Sequence, residues 1–172
     1  MLESPAATRA TADSDRSEPR SGIRRLLADP RKIIGYSLLW GCGVGWWVTI
    51  GAMTDHGLLA APGPAPFLAF VMLGYYTLCG WAGVSLVRGD KKAATLAILV
   101  QLPQLLHIQT DYLVIRVICG LSALVWWAPG GHGVHVGAAS MYMLAWGDLG
   151  LPLGFAVNLI PVAILGYFWS HD

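Results

Sequence analysis

The residues of this chain best suited to chemistry lie in residues 93–111, AATLAILVQLPQLLHIQTD. Wound as a helix, this stretch puts Gln101, Gln104, His107, Ile108 and Asp111 within about a third of the circumference. Amides, an imidazole and a carboxylate in one stripe can ligate an ion, bind a small polar molecule or bond to a neighbouring helix. In an apolar setting such a stripe must face protein or a wet cavity rather than lipid. Pro103 lies outside the stripe and frees the carbonyl of Leu99, so a kink is expected there. A further amide, Asn158, sits deep in another apolar run, LPLGFAVNLIPVAILGYFW. Counted along helices, Trp47, Tyr75 and Tyr76 come to similar levels. The candidate pocket is therefore Gln101, Gln104, His107, Asp111, Asn158, Tyr75, Tyr76 and Trp47. Hydrogen-bonded glue between helices is favoured over a ligand or ion pocket, and Gln101 and Asn158, at matched depth, are expected to bond directly.

Other constellations are thin. His132 and His135 form an HxxH in a glycine-rich turn, GHGVH, and a metal site needs three or four ligands. With His56 and His107 expected on the same side they are the weak metal candidates, and no metal is expected. Haem would need an axial histidine within a span, where only His107 comes near, so no cofactor is expected. There is no GxSxG, HExxH or Walker loop, and GCGVG at 41–45 follows no strand, so the sequence leans away from an enzyme. Asp111 and Arg116 read as two interface charges rather than a buried pair. Cys42, Cys79 and Cys119 form no CxxC, and the first two, in candidate membrane helices, read as small packing residues.

The elements that must position these side chains are apolar. Of 172 residues 55% are hydrophobic and 12% charged, and the mean hydropathy is +0.56. Most of the charge falls in the first 32 residues, and the net charge of +1 argues against a nucleic-acid partner. Residues 1–20 are expected to form a disordered tail with neither a secretory h-region nor an acid-poor transit pattern. Residues 21–32, with Ile23, Leu26 and Leu27 opposed to Arg24 and Arg25, read as a short juxtamembrane amphipathic segment or as more tail. Spans are expected at 33–53, 66–87, 93–110 and 151–169, each near the ~20 residues that cross a bilayer core. Gly41 and Gly45 form a GxxxG pair suited to close helix packing.

Seven Lys or Arg precede the first span and three lie at 88–92, against none at 54–65. The positive-inside bias thus sets both termini in the cytoplasm. Residues 112–149 hold two short runs rich in β-branched and aromatic residues around the turn cluster 128–133. A β-hairpin or re-entrant pair on the outer face is favoured over two short helices. The expected fold is thus an all-α membrane protein with four transmembrane helices and an outer-face hairpin or re-entrant pair between the third and fourth.

The order of spans, the QLPQ segment at 101–104 and GFAVNLIP at 154–161 resemble uncharacterised small bacterial four-span inner-membrane proteins. The resemblance covers residues 33–170 and implies the inner membrane, but no activity. The reading is an accessory, structural or assembly component, in contact with the bilayer and with other membrane subunits or itself. The alternative is a small-molecule or ion binding or transport protein using the outer-leaflet polar and aromatic pocket.

Overall fold

A computed structural model describes residues 29–55, 60 and 63–171. The expected tail, most of the juxtamembrane segment and His56 lie outside the described residues. The first helix, α1, is Pro30–Asp55. Proline opens it because its fixed φ and missing N–H suit a first helical position. The Asp29 carboxylate accepts the N–H of Arg31 at 3.1 Å. Helix α2 is Ala65–Arg88; it closes where Gly89 adopts φ 77° and the N–H groups of Gly89 and Asp90 bond back to Leu86 and Ser85. These two helices are long and apolar enough to cross a membrane. They lie against one another through Gly35 and Gly83, where a Cβ on Gly83 would stand 2.6 Å from the Gly35 carbonyl oxygen.

The second half departs from the expected four-span, all-α fold. Helix α3, Ala93–Gln101, has only nine residues and gives way to a 3-10 turn at Leu102–Gln104. Pro103 does not merely kink this helix; its missing N–H and its ring end it. The chain continues as strand β1, Leu106–Gln109. The expected last span divides likewise into strand β4, Gly154–Asn158, and helix α4, Leu159–His171. At 1.5 Å per residue, α3 and α4 are about 14 and 20 Å long, short of the ~30 Å hydrocarbon core.

Between them run β2, Leu113–Ala128, and β3, Gly131–Trp146, sixteen residues each. They pair antiparallel from Leu113↔Trp146 to Ala128↔Gly131 across a Pro129-Gly130 turn. A hairpin does occupy this region, but as half of a four-stranded antiparallel sheet in the order β1-β4-β2-β3, with β3 at its end, rather than as an appendage. β1 pairs with the start of β2 (Ile108↔Ile115) and with β4 (Ile108↔Phe155). β4 in turn pairs with the end of β2 (Val125↔Val157). The three strands close on themselves because β2 bends at Gly120, where φ is 86° and a Cβ would meet the Ser37 carbonyl.

The core lies between the helical hairpin, the short helices and the bend of β2. Leu38, Tyr76, Cys79, Ala97, Cys119 and Phe168 are buried there together. Gly41 packs against the backbone of Cys119 and Gly120, whereas Gly45 meets the Tyr76 ring. The expected GxxxG pair thus serves a strand on one turn and a helix on the next.

Candidate functional site

On one edge β2 is paired with β3 throughout. On the other, β1 and β4 reach only its two ends, leaving the stretch around the bend without a strand. Buried backbone groups left unpaired would cost about 1–3 kcal/mol each. Four side chains from four different elements serve them. The Gln104 carbonyl oxygen accepts the Cys119 N–H at 2.8 Å, and the amide nitrogen donates to the Val100 carbonyl at 3.1 Å. Ser37 Oγ of α1 accepts the Leu121 N–H at 3.1 Å. Asn158 Oδ1 accepts the N–H groups of Ala123 at 3.0 Å and Ile160 at 3.3 Å. The last bond makes Asn158 the N-cap of α4 as well. His107 Nε2 stands 3.1 Å from the Val117 carbonyl. A carbonyl only accepts, so Nε2 carries the hydrogen and Nδ1 presents a lone pair.

Gln104, His107 and Asn158 therefore serve backbone groups of one strand rather than a shared pocket between helices. Tyr75 donates to the Val100 carbonyl at 2.8 Å, beside Gln104. Tyr76 donates to the Ile118 carbonyl at 3.5 Å. Gln101 is buried, yet the expected Gln101–Asn158 bond is absent: Asn158 Oδ1 is taken by two backbone N–H groups, and its buried Nδ2 has no partner. The helical stripe dissolves because residues beyond 105 follow a strand's period of two, not a helix's 3.6. Asp111 is exposed at the turn before β2, and Trp47 is 82% exposed on α1, outside the cluster. His132 and His135 are exposed on β3, facing Trp127 and Leu124 across the pair. Among the described residues no three potential ligands come together around a metal position.

Sequence reasoning missed Ser37 and Ser140, hydroxyls inside apolar runs. Ser140 Oγ donates to the Gly41 carbonyl at 2.6 Å and fastens β3 to the middle of α1. Sequence reasoning also gave no binding role to Arg116, whose signal was its isolation in a run, 112–147, otherwise free of Asp, Glu, Lys and Arg. As expected of two separate charges, Arg116 and Asp111 form no ion pair among the described residues. Arg116 lines a cavity of about 250 Å³ bounded by β1, β4 and both ends of β2, together with His107, Gln109, Trp126, Trp127 and Phe155. Trp127 and Phe155 stack at 5.1 Å on its wall. Burial, with the positive charge of Arg116 adding to it, lowers the His107 pKa below its ordinary value against the opposing bond to Val117. The imidazole is therefore neutral.

Comparison with known protein families, curated proteins and solved structures gives no match for this chain.

Proposed function

We propose that this is an integral membrane protein that acts as an assembly component, its helical hairpin in the bilayer and its β3 edge paired with β3 of a second copy. The observation that carries the reading is β3 itself. It is sixteen residues long, has no Asp, Glu, Lys or Arg, and ends the sheet. The N–H groups of Cys119, Leu121 and Ala123 point away from β3, so odd residues of β2 face outward there. By the register, the outward groups of β3 are then those of its even residues, from His132 through Ala138 to Leu144. Among the described residues none of these backbone groups has a partner.

Depth supports a protein partner over water. Ser140 is bonded to Gly41, eleven residues or about 16 Å into the 26-residue α1. If α1 crosses the bilayer, the middle of β3 lies at hydrocarbon depth, where an open sheet edge is not tolerated. An antiparallel pair of β3 strands centred on Ala138 satisfies both copies alike. Small residues at 137–140 let the backbones meet, and no charge opposes the match. Trp40, Trp47, Phe67, Phe70 and Trp81, exposed on α1 and α2, suit contact with lipid. The basic segments before α1 and at 88–92 suit the cytoplasmic face. Arg31 stands 6.0 Å over the Phe168 ring, which brings the end of α4 to the level where α1 begins and suits a cytoplasmic carboxyl terminus.

The test is the size of the purified protein in mild detergent and in nanodiscs, with Ala138→Pro beside it. Proline removes an outward N–H and leaves the β2–β3 ladder intact. A wild-type dimer that becomes monomeric in Ala138→Pro is expected; a monomeric wild type overturns the reading. A cysteine at position 90 should resist labelling from outside intact cells, and its labelling would overturn the orientation.

A further inference from the structure

The side chains that seal β2 do not use up the polar atoms near them. His107 is 3% exposed, yet its Nδ1 has no partner, and neither has the buried Nε of Arg116. Both residues line the cavity walled by Gln109, Trp126, Trp127 and Phe155. Among the described residues no carboxylate pairs with Arg116. A guanidinium with a buried, unsatisfied donor and no counter-charge is costly to hold. Its planar fork suits a carboxylate or phosphate.

We propose that this cavity binds a small organic monocarboxylate with a flat, apolar body, the carboxylate on Arg116 and the body against Trp127 and Phe155. Three features select that chemistry. There is one cation and a neutral imidazole, which balances a monoanion and leaves a phosphate dianion with an uncompensated charge. The Trp127 and Phe155 rings lie 22° from parallel and 5.1 Å apart, a platform for a planar group. The volume of about 250 Å³ is just under the usual range for ligand pockets, which limits the guest to a small acid. The side chain of Gln109 is held by its amide donating to the Pro152 carbonyl at 3.3 Å, and it carries no charge. That leaves Arg116 as the principal recognition group. The inference does not depend on dimerisation through β3, and a monomer with an intact sheet would bind equally well.

Calorimetric titration of the full chain in detergent tests it, with benzoate as the probe and benzamide, inorganic phosphate and empty micelles as comparisons. Saturable benzoate binding at millimolar concentration or below is expected, with benzamide and phosphate at least about tenfold weaker. Arg116→Gln should abolish benzoate binding, a loss of at least about tenfold, with melting temperature unchanged or raised because a half-buried charge with an unpaired Nε is removed. Arg116→Lys should retain part of the affinity, and Phe155→Ala, at the rim, should weaken it. Equal binding of benzamide overturns the proposal. So does tighter binding of phosphate, absence of benzoate binding, or benzoate binding unchanged in a folded Arg116→Gln variant. Should both Arg116 variants fail to fold, Phe155→Ala decides: undiminished binding there also overturns it.

Discussion

Among the described residues two strand edges lack a neighbouring strand, and they are treated in opposite ways. The open edge of β2 is met by Ser37, Gln104, His107 and Asn158, each aimed at a backbone group of Val117, Cys119, Leu121 or Ala123. The open edge of β3, twice the length of that gap, meets nothing among the described residues and carries no Asp, Glu, Lys or Arg. Polar side chains have been placed where an edge is to stay sealed inside the molecule. No such side chains serve β3 among the described residues, and that contrast is what the proposed pairing of β3 with a second copy rests on. Lysines, prolines or bulges that ordinarily protect a free edge are also missing from β3.

Changes at the sealed edge should therefore cost stability, and changes at the free edge should not. Asn158→Leu strips the acceptor from two N–H groups, one of them the cap of α4, while also removing a buried unpaired Nδ2, and thermal unfolding should show a loss of about 2–3 kcal/mol. Gln104→Leu orphans the Cys119 N–H while Tyr75 still serves Val100, so about 2 kcal/mol is expected. Because Gln101 does not bond to Asn158, Gln101→Leu should add to Asn158→Leu within about 0.5 kcal/mol; strong coupling would contradict the geometry.

His107 predicts a pH dependence. Its folded pKa lies below the unfolded value of about 6.5, so between the two the unfolded chain binds more protons. Stability is then present above about pH 6.5 and lost as pH falls below it, at no more than about 1.4 kcal/mol per unit. His107→Gln keeps a donor for Val117 and should flatten that slope; an unchanged slope would exclude His107 as its source. Smallest of all, Val136→Lys on β3 should shift monomer stability by under about 0.5 kcal/mol while dispersing any dimer.

How much of this was legible follows from which pattern each segment carries. Helices α1 and α2 announce themselves because each sustains more than twenty apolar residues, a length only a helix uses. The turn at Pro129-Gly130 and the β-branched runs beside it made the hairpin readable. The four-span fold failed at two junctions where a short helix meets a short strand without a polar break. At 93–109 the residues flanking Pro103 fall by coincidence on a helical stripe, so a terminator was read as a kink. At 154–169 Asn158 looked like an amide inside a helix; it is the cap that starts one, with Pro161 in the first turn as the overlooked signal. Gln104, His107 and Asn158 were found because polar residues in apolar runs are conspicuous, yet what they bond to was not, since a strand's missing neighbour is a property of topology.

The closure of β1, β4 and β2 also dictates an order of events during synthesis. The β2–β3 hairpin is local and can zip within microseconds of emerging. β4 is the piece inserted between β1 and the far end of β2, and it follows residue 153. At translation rates of about 5–20 residues per second, the twelve residues from Trp146 to Asn158 take roughly 0.6–2.4 s, during which the hairpin is formed and β2 is incompletely covered. That interval is when the chain is most vulnerable to wrong strand pairing, and Asn158, arriving last, ends it by sealing Ala123 and starting α4 together.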